Sequence, residues 1–316
     1  MRFQNGIIAA AFGLSLAAFL AAGTARAEIR VFACEPEWAA LTQEIGGDKV
    51  SVYSGTTAFQ DPHQIQARPS LIARLRNSQM LVCTGAQLEI GWLPVLMIQS
   101  ANGSIQAGEP GYLMAADYVP LLEIPKIVDR SFGDLHPMGN PHLQTGAQNY
   151  LPVARVIEER LSTLDPQDTK YYVARLKDFT GRWQAALERW ERMAAPLQGV
   201  TVISHSKHWS YLYDWLGIRE VGTLEPKHGV PPSAAHLNEL ITQLRFTPAR
   251  MIVRAPFDDP RASEFLSGAV HIPQVVLPGT VGGSGKSNDL FSFFDDTIAR
   301  LLDGLHGQSD TGIASR

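Results

Sequence analysis

Three histidines lie at positions where we expect a loop to begin or to turn. His63 and His142 each follow a proline, in the tripeptides Asp-Pro-His and Asn-Pro-His, and His205 follows the apolar run 200–203. Neutral imidazoles are the commonest protein ligands of zinc, and three of them nearly complete a tetrahedral coordination shell. The sequence therefore predicts a metal site that the fold assembles from widely separated loops.

The elements that must position these loops follow an α/β pattern. Short apolar runs alternate with longer amphipathic segments, which is typical of strands and helices that follow one another in a parallel sheet. We predict strands at 28–34, 50–53, 79–84, 200–204, 250–254 and 274–277. We predict helices at 35–46, 69–77, 87–101, 150–164, 209–216, 233–244 and 288–302. The irregular segment 131–142 has no periodic pattern, and such segments inside compact domains are more often functional than filler.

One long segment, 168–197, separates two such series of elements. Its aromatic and aliphatic residues recur at helical spacing, and at ~1.5 Å per residue it would span about 45 Å. The chain of 316 residues is also too long for one comfortable core. We therefore expect a first α/β lobe at 28–166, a linking helix at 167–197, a second α/β lobe at 198–304 and a disordered tail at 305–316.

The amino terminus is typical of an export signal. A basic start precedes the apolar run 7–22 and the small-x-small sequence Ala25-Arg26-Ala27, so we expect cleavage after Ala27. No cysteine stands at that point, so we expect no lipid anchor. No later stretch is apolar over the ~20 residues that a membrane span needs. The expected product is an exported, periplasmic chain.

The charge pattern argues against one class of partner. The formal net charge is −4, and no basic block or stripe is present, so we expect no binding to nucleic acid. We expect a monomer.

The two cysteines, Cys34 and Cys83, each end an apolar run typical of a strand. Two parallel strands that end side by side could bring them to bonding distance in an oxidising compartment. Two buried free thiols are the alternative, and the sequence leaves both open.

A family resemblance rests on motifs that run in order along nearly the whole chain after residue 27. The chain resembles the metal-specific solute-binding proteins of bacterial ABC importers. The motifs are Asp61-Pro62-His63, Pro69-Ser70, the run 83–89, Gly139-Asn140-Pro141-His142, Trp215-Leu216-Gly217, Leu224-Glu225-Pro226, Leu277-Pro278 and Val281-Gly282-Gly283. This resemblance implies two α/β lobes joined by one rigid helix, with a metal ion bound between the lobes.

The resemblance also implies four metal ligands. His63 and His142 fit its first two positions. Counting from the preceding strand places His205 at the third position, and His208 is the alternative.

The fourth position departs from the family pattern. Many members carry Asp-Pro after the last strand, where this chain has Leu277-Pro278. The nearest downstream carboxylate is Asp289, which could be a ligand or could cap the last helix. Water or His228 could fill the position instead, and His136 is a candidate accessory ligand.

The resulting hypothesis is a periplasmic carrier that hands a divalent ion to an ABC permease in the membrane. Three imidazoles and one oxygen ligand favour Zn²⁺ over Mn²⁺ as the transported ion. No reaction is expected, because no named catalytic motif is present. The alternative is a secreted zinc hydrolase that uses the same histidines with an open fourth coordination position.

Overall fold

The computed structural model describes residues 28–126 and 136–307. The predicted export signal, the segment 308–316 of the predicted tail and residues 131–135 of the irregular segment lie outside this range.

Two parallel sheets of the same strand order form the framework. The first contains β1 (Ile29–Ala33), β2 (Val50–Ser54), β3 (Met80–Cys83) and β4 (Tyr112–Met114) in the order β2-β1-β3-β4. The second contains β5 (Thr201–Ser204), β6 (Arg219–Thr223), β7 (Met251–Arg254) and β8 (Gln274–Val276) in the order β6-β5-β7-β8. All residues of β3 and β7 are buried, as expected for sheets that helices cover on both faces. The predicted α/β architecture with two lobes is confirmed.

Helices connect and cover the strands. In chain order they are α1 (Pro36–Gly46), α2 (Pro69–Arg76), α3 (Leu93–Ser100), α4 (Tyr150–Leu164), α5 (Thr169–Ala194), α6 (Ser210–Leu216), α7 (Ala234–Leu244), α8 (Pro260–Val270) and α9 (Leu290–Leu305). Proline occupies one of the first two positions of α1, α2, α3 and α8. The N–H groups at these positions have no partner within the helix, so proline, which lacks an N–H, costs no hydrogen bond there.

The long helix α5 joins the two lobes. Short 3₁₀ turns at Pro166–Asp168 and Ala195–Leu197 extend it at both ends, so the linking helix is where the sequence predicts it. The indole of Trp183 donates to the carbonyl of Ala147 before the helix, at 2.9 Å. The indole of Trp190 donates to Asp295 in α9, at 2.6 Å. Both indoles are fully buried, so one face of α5 is held by both lobes. The exact lobe boundaries stay a prediction.

Three elements of the structure are missing from the predicted set, and one is shorter than predicted. The strands β4 and β6 and the helix α8 were not expected, and the helix predicted for 87–101 begins only at Leu93. The Glu89 carboxylate explains the late start, because it accepts hydrogen bonds from the backbone N–H groups of Thr84 and Gly85, at 2.7 and 3.1 Å. These bonds hold residues 84–92 as turns.

Cys34 and Cys83 form a disulfide bond at the adjacent carboxyl ends of β1 and β3. Of the two alternatives for the cysteines, the structure contains the bonded one. Within residues 28–126 and 136–307, none of the helices combines the length and apolar character that a membrane crossing requires.

Candidate metal centre

Five histidines meet between the two sheets, and each lies in a segment that follows the carboxyl end of a strand. His63 follows β2, His136 and His142 follow β4, His208 follows β5 and His228 follows β6. In parallel sheets, ligands bind where these loops gather. Here the loops of both lobes supply histidines to the same place.

His63 is oriented by Asp61. The Asp61 carboxylate lies 2.7 Å from Nδ1 of His63 and accepts from its backbone N–H at 3.0 Å. The Trp92 indole donates to the carbonyl of Pro62 at 2.8 Å and fixes the turn between them. A carboxylate on one ring nitrogen places the lone pair on the other, which is the usual arrangement of a metal-binding histidine. Nε2 is therefore the nitrogen of His63 that can offer a lone pair to a metal ion.

The Nε2 atoms of His63 and His136 are 3.2 Å apart. Two nitrogens bound to one zinc ion at tetrahedral angles would be about 3.3 Å apart, given bonds of about 2.0–2.1 Å. His228 joins them, since the ligand atoms of these three histidines lie within 4.8 Å of one another. These three histidines lie close enough together that they could hold one metal ion.

His142 is the most deeply buried member of the cluster. Its exposed fraction is 1%, and neither ring nitrogen has a hydrogen-bond partner. A neutral imidazole carries one N–H donor and one lone pair, and leaving both buried and unpaired is costly. This pattern is the one expected of an imidazole that binds a metal ion.

Asn140 and Gly139 bring His142 into place. The Asn140 side chain accepts from the His142 backbone N–H and donates to the carbonyl of Lys207 across the lobe interface, at 2.9 and 2.7 Å. Gly139 has φ +122°, and an added Cβ would lie 2.9 Å from Leu121 and from the Leu122 carbonyl oxygen. Only glycine fits this turn without strain.

Ring separations divide the cluster. The centroid of His63 lies 5.2 Å from those of His136 and His142 and 5.3 Å from that of His228. Four imidazoles around one tetrahedral zinc ion would have centroids about 5.2 Å apart, from the same bond lengths. His208 instead lies against His142, with centroids 4.2 Å apart.

Burial keeps three imidazoles of the cluster uncharged. It lowers the pKa of His136 and of His208 to about 3 and holds that of His142 well below its ordinary value. These three imidazoles are therefore neutral at pH 7, and each has a lone pair to offer. The adjoining cavity of about 180 Å³ also contains the carboxyl groups of Asp61, Glu225 and Asp258.

The structure places the predicted third ligand, His205, elsewhere. Its backbone N–H donates to the Val253 carbonyl at 2.8 Å, which continues the pairing of β5 with β7. Its ring faces a different cavity, and Nε2 lies 4.0 Å from the Glu225 carboxylate. Among the ring contacts of the described residues, the cluster includes the alternative, His208, and does not include His205.

Asp289, the predicted fourth ligand, lies at the start of α9. Its carboxylate accepts from the backbone N–H and the hydroxyl of Ser292, at 2.7 and 2.9 Å, and completes a capping box. The structure thus places Asp289 in the capping role, the alternative to ligation. After β8, Gly279 leaves room for His208, since an added Cβ would lie 3.3 Å from its Nε2.

A second buried group of titratable residues lies beside the centre. Glu35, Glu37 and Glu89 are buried, and the hydroxyl of Thr280, after β8, donates to Glu37 in α1 at 2.5 Å. Burial raises the pKa of Glu37 and of Glu89 to about 7. It also raises that of Glu35 well above its ordinary value, with a further contribution from the charge of Glu89.

Residues 31–304 match the model of the ZnuA family, described as zinc-uptake complex component A, periplasmic. The manganese ABC transporter substrate-binding lipoprotein PsaA of Streptococcus pneumoniae serotype 4 is 20% identical over 89% of this chain and 91% of its own length. The metal ABC transporter substrate-binding lipoprotein SloC of Streptococcus mutans is 23% identical over 92% and 95%.

Solved structures share the fold. A crystal structure of ZnuA superposes with a TM-score of 0.74 at 21% identity, covering 88% of this chain and 99% of that chain. A periplasmic metal-binding protein from Candidatus Liberibacter asiaticus superposes with a TM-score of 0.71 at 15% identity, covering 88% and 100%.

Proposed function

Because this chain belongs to the ZnuA family of periplasmic zinc-uptake components, we propose that it captures Zn²⁺ in the periplasm and delivers it to an ABC permease. The chain is a metal-binding substrate-binding protein of an ABC importer. The members of the family are solute-binding proteins of transport systems and not enzymes, so the hydrolase alternative is set aside. The expected signal cleavage after Ala27, the absence of a lipid anchor and the monomeric state stay predictions. Its relatives PsaA and SloC are named lipoproteins.

We assign His63, His136, His142 and His228 as the four zinc ligands. The ring separations of 5.2 and 5.3 Å around His63 support this set, whereas the rings of His142 and His228 are farther apart, at 6.1 Å. His205 and Asp289 are replaced because one faces another cavity and the other caps α9. We assign His208 as the residue that packs against His142 and keeps its ring in place.

The choice of Zn²⁺ over Mn²⁺ rests on the donor atoms. Imidazole nitrogen suits zinc, whereas carboxylate, carbonyl and water oxygens suit manganese. In this chain Leu277 and Pro278 occupy the positions after β8, and the Asp61 carboxylate is bound to the ring of His63. The observation that carries the proposal is His142, buried with both ring nitrogens unpartnered beside His63.

The test is a calorimetric titration of the metal-free chain with Zn²⁺ and, separately, with Mn²⁺. We expect one tight equivalent of Zn²⁺. Most nitrogen and oxygen sites already bind Mn²⁺ more weakly than Zn²⁺. Here we expect the affinity for Mn²⁺ to be lower still, by at least about a hundredfold beyond that general difference. Comparable affinities for the two ions would refute zinc as the cargo. Loss of zinc uptake in cells that lack the chain would support the delivery role.

A further inference from the structure

Glu123 lies at the contact between the two lobes, in a backbone conformation that glutamate rarely adopts. Its φ angle is +53°, in the left-handed region that favours glycine. The neighbouring backbone is held on both sides, because the Leu122 N–H donates to the Tyr211 hydroxyl at 3.1 Å and the Leu122 carbonyl accepts from the Asn140 backbone N–H at 2.7 Å. Strain of this kind persists where the surrounding structure over-determines it, which is typical of functional sites. The backbone therefore points to a role for the Glu123 side chain.

The Glu123 carboxylate accepts hydrogen bonds from both lobes. Its Oε2 atom accepts from the side-chain amide of Asn140 at 2.8 Å and from the hydroxyl of Ser210, at the start of α6, at 2.9 Å. Its Oε1 atom lies 3.5 Å from the ammonium of Lys207, which is also paired with Glu220. Although burial acts to lower it, the charges of Glu220 and Glu123 raise the pKa of Lys207. The side chains of Lys207 and Glu123 are 49% and 40% exposed, so their ion pair contributes little by itself, and the two hydrogen bonds hold the carboxylate in place.

The neighbours of the Asn140 side chain allow its amide only one orientation. Its two N–H donors face the Glu123 carboxylate and the Lys207 carbonyl, at 2.8 and 2.7 Å, and both of these groups are acceptors only. Its oxygen faces a donor, the His142 backbone N–H, at 2.9 Å. A flipped amide would place its oxygen against two acceptors and its N–H groups against a donor. Glu123 thus helps to fix the amide whose oxygen holds the backbone of His142.

Glu123 lies directly beside the metal centre. It lines a cavity of about 110 Å³ together with His136, His142 and His228, three of the four ligands assigned above. One of its oxygens accepts two hydrogen bonds and the other faces an ammonium group, so the carboxylate is engaged by the protein itself. Groups that orient a metal ligand in this way commonly affect metal affinity without touching the ion.

We propose that Glu123 is a positioning residue of the metal centre, which acts through Asn140 to hold the backbone of His142 in place. Because Ser210 and Lys207 belong to the second lobe, one carboxylate links the position of this ligand to the position of that lobe. The inference rests on the proposed function, since it concerns a ligand of the same site.

The first experiment measures hydrogen exchange of the backbone amides in the metal-free full chain. In Glu123→Ala the His142 amide should exchange at least about tenfold faster than in the wild type, because the Asn140 oxygen no longer stays opposite it. Glu123→Gln, whose side chain offers a donor as well as an acceptor, should change the rate in the same direction by a smaller factor. The Leu81 amide in β3 should keep its protection and shows that each variant is folded.

Glu109→Ala, which changes an exposed glutamate of the first lobe, is the matched control and should leave both amides as they are in the wild type. An unchanged exchange rate of the His142 amide in Glu123→Ala would overturn the proposal. Because this experiment contains no zinc, its result is independent of the identity of the cargo. A wild type that fails to bind Zn²⁺ would refute the proposed function instead.

Zinc titrations test whether Glu123 acts through Asn140. Glu123→Ala should weaken Zn²⁺ binding by about tenfold, the lower end of the range for a residue that orients a ligand. In an Asn140→Ala background the same substitution should cause no further loss, since residues that act in one network have non-additive effects. Losses that add in the double variant would overturn the proposal. So would a loss in Glu123→Ala as large as that in His142→Ala, because Glu123 would then be a ligand itself.

Discussion

At the residue scale, the centre depends on one imidazole, that of His142, whose ring nitrogens have no hydrogen-bond partner among the described residues. His142 is enclosed by the fold, yet its ring nitrogens bond to no protein atom. Burying these unpaired nitrogens costs free energy, and Asn140 and Gly139 fix the backbone position at which this happens. The ring is thereby ready for an ion before the ion arrives, as a binding site of high affinity requires.

We expect His142→Ala to lower the affinity for Zn²⁺ by more than about a hundredfold, since loss of a residue that only orients a ligand already costs 10–100-fold. Competition with a chromogenic zinc chelator would measure the change. His271→Asn is the control, because Asn tolerates the left-handed backbone at that position (φ +57°). An affinity close to that of the wild type would remove His142 from the ligand set.

Asp61 acts through His63, so its substitution should have a smaller effect. Although burial acts to raise it, the hydrogen bond with His63 lowers the pKa of Asp61 below its ordinary value. Asp61→Asn should keep the fold and weaken Zn²⁺ binding by about 10–100-fold. The same chelator competition applies. If Asp61→Asn and His63→Ala lose equal affinity, Asp61 is a ligand itself and not an orienting residue.

At the element scale, the limits of sequence reasoning are clearest at the end of β5. His205 and His208 are three residues apart, and successive residues of a strand face opposite sides. The backbone of His205 continues the pairing of β5 with β7, which directs its ring to the neighbouring cavity. His208 lies in the 3₁₀ turn Lys207–Trp209 and faces the cluster. Sequence alone does not fix the last paired residue of a strand, so it could not decide between these two histidines.

The elements that were predicted and those that were missed differ in length and patterning. The long helix α5 repeats its aromatic residues over many turns, and its prediction was confirmed. The strand β4 has three residues and β6 has the sequence Arg-Glu-Val-Gly-Thr, and neither carries enough apolar pattern to be recognised. His63, His136, His142 and His228 could all be found as candidates from loop position and motif. Their partners Asp61 and Asn140 could not be assigned, because those contacts exist only in the fold.

The buried carboxyl groups at the start of α1 predict a dependence of stability on pH. Because the pKa of Glu37 and of Glu89 is raised from 4.5 to about 7 in the fold, their contribution is complete below about 4.5 and is lost as the pH rises through about 7. We therefore expect these two carboxyl groups to lower the free energy of unfolding of the metal-free chain as the pH rises from about 4.5 to about 7. The buried histidines His136 and His208 act in the opposite direction, because their pKa is lowered from 6.5 to about 3. The slope is up to about 1.4 kcal/mol per pH unit for each proton released.

Urea unfolding at several pH values would measure this dependence. In Glu89→Gln the free energy of unfolding should fall less, or rise more, between about pH 4.5 and about pH 7 than it does in the wild type. Glu188→Gln is the control, since that side chain on α5 is 73% exposed. The same dependence on pH in Glu89→Gln and in the wild type would contradict the assignment of a neutral carboxyl group at this position.

At the scale of the whole molecule, the two lobes are joined at the site by polar contacts as well as by α5. The Asn140 side chain reaches across to the carbonyl of Lys207, and the Tyr211 hydroxyl donates to the Asn140 carbonyl at 2.7 Å. The Glu37–Thr280 bond crosses the interface at the buried carboxyl groups. The relative position of the lobes, and hence the spacing of the ligands, depends on these bonds.

We expect Asn140→Ala to destabilise the chain by about 1–3 kcal/mol, because it leaves buried polar groups without partners. It should also speed the release of Zn²⁺, although Asn140 is not a ligand. Stopped-flow transfer of zinc to a chelator would measure the release rate. Asn238→Ala, on the exposed face of α7, should change neither quantity. Release at the wild-type rate from the Asn140 variant would mean that the lobe contacts do not control the ion.

The histidines of the centre come from both lobes, and this affects the stability of the protein. His63, His136 and His142 precede α5 in the chain, and His228 follows it, so an ion held by all four is a removable crosslink between the two sheets. The unfolded chain cannot form this crosslink, and mass action therefore stabilises the loaded protein by about 4.1 kcal/mol when free Zn²⁺ is a thousand times its dissociation constant. The melting temperature of the protein should therefore rise with the logarithm of the free Zn²⁺ concentration. A thermal melt of the protein would thus report how much zinc is available to it.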